Sequence, residues 1–126
     1  MNNERGERPW GYYLVLTEDR GYKVKQFVVR PGKRLSLQKH LKRSEHWQVV
    51  RGEALITVGS DLNTLSSVSL AVGEYIDIPL EAYHRVESVG AEDLVIIEVQ
   101  MGKYLGEDDI IRIEDDYGRA KTTQNL

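Results

Sequence analysis

The chain has 126 residues, 40% hydrophobic and 29% charged, with a formal net charge of -3: enough for one domain with its own core, and without the positive excess that nucleic-acid binding demands. No cysteine is present, which excludes disulfides and thiolate metal sites and makes a reducing cytoplasm the expected location. The N-terminus MNNERGERPW has no apolar run for a signal peptide, and nowhere do about eighteen apolar residues follow one another, so no membrane partner is expected.

In chain order, residues 1–7 are polar and charged and are expected to be loosely attached. The folded part is expected over residues 8–119. YYLVL after Gly11, the turn-like EDRG and then YKVKQFVV read as a β-hairpin. In its second strand Lys23, Lys25, Phe27 and Val29 share one face, which makes Lys25 a cavity-lining cation if that face is inward and a solvated edge lysine if it is not. Pro31 and Gly32 turn the chain into LSLQKH, Arg51 and Gly52 into EALITVG, and further apolar runs follow as LSSVSLAV, EYIDIP, YHRVES and LVIIEVQ. No helical spacing is sustained before Lys103, and eight or nine short strands with regular turn signals predict an antiparallel barrel or sandwich. In the last stretch, Glu107, Asp108 and Asp109 are placed to cap a short helical turn, and Ile110, Ile111 and Ile113 to pack it on the barrel. Residues 120–126 are expected to fray.

The segment around residues 31–52, PGKRLSLQKHLKRSEHWQVVRG, concentrates the chemistry. Gln38 and His40, two apart on a strand, project to one face. If residues 41–44 turn the chain, Glu45 sits opposite His40 on the paired strand and shares that face. His46 has the opposite phase, so the best further donor is His84. Two imidazoles, a carboxylate and an amide oxygen suit a divalent metal, with Zn²⁺, Mn²⁺, Fe²⁺, Co²⁺ and Ni²⁺ all compatible.

The spacing Gly32, Gln38, His40, Glu45, Gly52 resembles the first cupin motif, with Gln38 where many cupins carry a histidine. Gly73, Pro79 and His84 resemble the second, although Glu81 stands where the family usually has Gly and Ser88 where it usually has Asn. RPWG at 8–11, LSLQ at 35–38, EHW at 45–47, IEVQMGKYLGEDDI at 97–110 and DDYGR ending at Arg119 are similar to the type II mannose-6-phosphate isomerase domain. That domain commonly forms the C-terminal part of a bifunctional enzyme with a mannose-1-phosphate guanylyltransferase. The resemblance implies an all-β, jelly-roll cupin barrel carrying a short C-terminal segment. It also implies zinc as the metal and mannose 6-phosphate as the substrate, and the isomerase activity is expected without the transferase half.

Moving a proton between C2 and C1 through an enediol needs a base and a stabilised oxyanion. Glu98 shares a strand face with Leu94, Ile96 and Gln100 and is the first candidate base, against a purely structural hydrogen-bonding role; Lys103 and Asp108 are the fallbacks. Arg119 is a further catalytic candidate. Arg8, Lys25, Arg112 and Arg119 are candidate phosphate binders, a bidentate guanidinium being a good phosphate clamp. The run KHLKR at 39–43 reads equally as an anion attractor or a solvated loop tip. A non-catalytic sugar-phosphate or nucleotide-sugar binding cupin, or a partner of a separate guanylyltransferase, is the alternative function. A metal-dependent oxygenase is disfavoured, because it leaves the arginines and the 98–110 segment without a role. The cupin resemblance also implies a homodimer formed by exchange or extension of edge strands, with the N-terminal hairpin as a candidate contributor.

Overall fold

In a computed structural model that describes residues 4–120, eleven strands form two antiparallel sheets, and no helix occurs among the described residues. The larger sheet has the order β1-β2-β3-β10-β5-β8: β1 (Arg5–Arg8), β2 (Gly11–Asp19), β3 (Tyr22–Val29), β10 (Leu94–Gly102), β5 (Arg43–Arg51) and β8 (Tyr75–Ile78). The smaller has the order β11-β4-β9-β6-β7: β11 (Ile111–Glu114), β4 (Leu37–Lys39), β9 (Tyr83–Ser88), β6 (Ala54–Gly59) and β7 (Ser66–Leu70). The all-β expectation holds, with more strands than the turn signals suggested.

Three local expectations are corrected. Arg5–Arg8 is not loose: it pairs with β2, placing Arg5 opposite Leu14 and Arg8 opposite Gly11. The capped helical turn at 107–109 is absent, because those carboxylates are used elsewhere: Glu107 by Lys25, and Asp109 by the N–H groups of Leu41 and Lys42. The hairpin through residues 41–44 is the third. β4 and β5 lie in different sheets, β4 pairing with β9 and β11 and β5 with β10 and β8. Residues 40–42 are therefore a corner from one sheet to the other. The expected tail at 120–126 lies, apart from residue 120, outside the described residues.

Side-chain alternation fills the space between the sheets. Val29, Val49, Ile56, Val86, Leu94 and Ile96 are essentially inaccessible and form the apolar end of the core. Along β10 the inward positions read Leu94, Ile96, Glu98, Gln100, so the same strand passes from a dry core to a polar chamber. An aromatic file joins the two regions: Trp10 to Phe27 at 6.0 Å, Phe27 to Trp47 at 5.4 Å, and Trp47 to the His84 ring at 5.4 Å, all near-perpendicular. Edge-to-face contacts of this kind add about 0.5–1.5 kcal/mol each to the burial itself.

Turn chemistry fixes the ends. Gly52 has φ +83°, and a Cβ there would meet the Asp93 carbonyl oxygen at 2.6 Å, so only glycine satisfies both the backbone and the neighbour. Glu81 has φ +67°, the left-handed region that the glycine of the second cupin motif takes freely. Its N–H donates to the His40 carbonyl at 2.9 Å, tying the His84 loop to the His40 corner.

Candidate metal centre

Two registers bring the distant donors together. Gln38 on β4 lies directly opposite His84 on β9 and, on its other side, opposite Arg112 on β11. In the facing sheet Glu98 is opposite both Lys25 and Trp47, and Gln100 is opposite Lys23 and Glu45. The two inward rows enclose a cavity that opens to solvent.

At its inner end His40, Glu45 and His84 converge. His40 Nε2 is 3.2 Å from Glu45 Oε2, His84 Nε2 is 3.6 Å from Glu45 Oε1, and one ligand atom from each lies within 4.8 Å of the other two. All three are buried. The tautomers follow from the outer partners. His40 Nδ1 meets the Asp109 carbonyl at 2.6 Å and His84 Nδ1 the Ala82 carbonyl at 3.0 Å. A carbonyl only accepts, so each Nδ1 carries the proton and each Nε2 presents a lone pair.

Burial, with the Arg43 charge next in weight, lowers His40 from its ordinary 6.5 to about 3, and burial lowers His84 to about 4; both rings are neutral at pH 7. His84 Nε2 is a buried atom without a hydrogen-bond partner. Two neutral imidazoles oriented by backbone carbonyls, beside one carboxylate, are the donor set that a divalent cation takes. The residues present fit a metal.

Gln38 is adjacent but differently engaged. Its Oε1 accepts the Ser36 hydroxyl at 2.6 Å and its Nε2 faces His40 Nε2 at 3.4 Å. Joining the ligand set requires the amide to turn over and release Ser36. His46, as expected from its phase, points outward and bonds Asp77 at 2.6 Å.

Arg43 was read as part of the basic run at 39–43, yet it is 6% exposed and lines the cavity. Its Nε donates to Glu45 Oε2 at 2.7 Å, its Nη2 to His40 Nε2 at 3.2 Å, and its Nη1 is buried without a partner. The signal was available: Arg43 is two residues before Glu45 and shares its phase. Trp47, two residues after, donates its indole N–H to both Glu45 Oε1 and Glu98 Oε2 at 3.0 Å. Glu98 also accepts from Gln100 at 2.9 Å, and burial, with the Glu45 charge next, raises it from 4.5 to about 7.

The outer end of the cavity is cationic. Arg8, Arg112 and Arg119 all line it. Arg112 has a buried Nε with no partner, and burial followed by the Arg119 charge lowers its pKa. Arg119 is oriented by Asp115, with bonds of 2.8 and 3.1 Å. Lys25 is inside, as the inward alternative required, but its ammonium is held by Glu107 at 2.5 Å and lies 4.1 Å from the Tyr13 ring centre. Of the fallback acid-base groups, Lys103 is exposed and outside the cavity, and Asp108 is exposed and accepts from the Tyr104 hydroxyl.

Residues 2–115 match the family described as mannose-6-phosphate isomerase C-terminal. The xanthan biosynthesis protein XanB of Xanthomonas campestris is 46% identical over 113 residues, covering 90% of this chain and 23% of that protein. The mannose-1-phosphate guanylyltransferase ManC of Salmonella typhimurium is 45% identical over 113 residues, covering 90% and 22%. This chain thus spans under a quarter of the length of these relatives. Among solved structures, the oxalate decarboxylase of Lactobacillus farciminis superposes with a TM-score of 0.77 at 20% identity, covering 88% of this chain and 33% of that one. The fold is the cupin barrel.

Proposed function

Because the chain belongs to the mannose-6-phosphate isomerase C-terminal family, we propose that it is a metal-dependent aldose-ketose isomerase acting on mannose 6-phosphate and fructose 6-phosphate. The observation that carries this reading is a single cavity with two unlike ends. His40, Glu45 and His84 stand at the inner one, and Arg8, Arg112 and Arg119 at the outer one, which matches a substrate with a carbonyl at one terminus and a phosphate at the other.

A divalent ion, Zn²⁺ by family analogy, held by His40, Glu45 and His84 would supply positive charge to the carbonyl and hydroxyl oxygens of the substrate. The three arginines bind the phosphate and fix the sugar along the cavity. Glu98, near 7 and fixed by the indole of Trp47 and the amide of Gln100, takes the C2 proton and returns it to C1. The hydroxyl proton passes from O2 to O1, so the aldose becomes the ketose with no net gain or loss of atoms. Lys23 and Lys25 hold the strap through Leu105 and Glu107 against the barrel, by bonds to the Leu105 carbonyl at 2.8 Å and to the Glu107 carboxylate, and thereby wall the cavity from water.

The test is a coupled assay for fructose 6-phosphate with the purified, zinc-loaded chain. Turnover that is lost in His40→Ala and in His84→Ala is expected. Stabilisation by mannose 6-phosphate without turnover would instead establish a sugar-phosphate binding cupin.

A further inference from the structure

The outer face of the larger sheet is built unlike a solvated surface. Ile97, Val99 and Met101 run down β10, the third strand from the β8 edge, and Val24 on β3 and Leu14 on β2 extend the apolar patch sideways. Met101 is 58% exposed, and Tyr75 on β8 equally so. Gln26 and Gln48 flank Ile97 on either side, both uncharged. In the three rows that cross Met101, Val99 and Ile97 from β2 to β8, the formal charges stand only at the two flanks, Asp19 at the end of β2 and Asp77 on β8, the latter bonded to His46. In a chain that is 29% charged, such depletion is the mark of an interface centre rather than of an exposed sheet face.

We infer that this face is where two copies of the chain pack, sheet against sheet, about a two-fold axis running parallel to the strands. Five strands at about 4.8 Å spacing and a central strand of about 30 Å give a footprint of roughly 700 Å², close to the ~800 Å² per partner of a stable interface. A face with almost no charge meets itself without like-charge repulsion. That axis also lays the β8 margin over the β1 margin of the other copy, and the charges at both are matched within one copy, Arg5 by Glu7 and Asp77 by His46. The contact is thus centred on β10, and the N-terminal hairpin contributes Leu14 and Val24 to it.

Sedimentation velocity across a concentration series tests it. The wild-type chain sediments at twice the 14.4 kDa of one copy, whereas Ile97→Lys weakens self-association at least a hundredfold. Met101→Lys, at a position too exposed to unsettle the fold, does the same with an unchanged circular dichroism spectrum. Val68→Lys on β7, exposed on the other sheet, leaves the dimer intact. A single-copy mass up to about 1 mM, which would leave the face to a different polypeptide, overturns the inference. A dimer that survives both lysine substitutions overturns it equally, as does one that Val68→Lys dissociates.

Discussion

Replacing Arg43 by methionine keeps most of the side-chain volume and removes only the guanidinium. Arg43 is 6% exposed, and the carboxylate it bonds at 2.7 Å belongs to a Glu45 side chain that is 1% exposed. Without Arg43, Glu45 retains the Trp47 indole N–H and two imidazoles that are neutral at pH 7, so a buried negative charge loses its nearest compensation. Breaking one side of a buried pair costs about 3–5 kcal/mol. An unfolding entropy of about 2 cal/mol/K per residue turns this, for a chain of this length, into a midpoint roughly 10–20 °C lower. Thermal unfolding followed by circular dichroism in the presence of a chelator measures it. Added Zn²⁺ restores positive charge beside Glu45, so the gap between wild type and variant should shrink to less than half. An Arg43→Met protein as stable as wild type in chelator would refute the reasoning, because Glu45 would then not be an uncompensated buried charge.

Glu98→Gln removes a titration. Burial holds the folded-state value near 7 against an ordinary 4.5, so the folded protein keeps a proton that the unfolded chain gives up. Glu98 therefore lowers stability as pH rises from about 4.5 to 7, reaching a deficit of about 3 kcal/mol above that range. Chemical denaturation of Glu98→Gln should show a gain that is near zero at pH 4 and largest above pH 7; an equal gain at both would show that no titration is involved. Arg112→Met should raise KM for mannose 6-phosphate tenfold or more while kcat changes little, since a lost charge-assisted bond is worth about 1.5–3 kcal/mol; a fall in kcat at constant KM would remove Arg112 from phosphate binding. Gly52→Ala meets both a positive φ and the Asp93 carbonyl, whereas Gly32→Ala, at φ +79°, meets nothing within 4 Å. The first should cost about 2–4 kcal/mol and the second about 1, and equal losses of midpoint temperature would contradict the steric account.

Much of this was legible in strand phase alone. Lys25 is buried because it alternates with Phe27 and Val29, Glu98 because it alternates with Ile96 and Gln100, and His46 is outside because it is one step from Glu45. Phase tells which way a side chain points but not which strand lies beside it. The proposed pairing of His40 with Glu45 therefore named the right residues through the wrong contact: they meet across the barrel, not along a hairpin. Arg43 was obscured by Lys39, His40 and Lys42, whose charges suggest solvent even though its phase says otherwise. The carboxylates at 107 and 109 were misassigned to a helix because their partners, Lys25 and the N–H groups of Leu41 and Lys42, are more than sixty positions away.

The bond between His40 Nδ1 and the Asp109 carbonyl spans 69 positions. Until residue 109 is seated, the imidazole lacks the carbonyl that holds the proton on Nδ1, and only the Arg43 guanidinium at Nε2 favours that tautomer. The segment that completes the smaller sheet thus also orients a buried imidazole, so loosening β11 would blur the donor set without altering any of its three side chains.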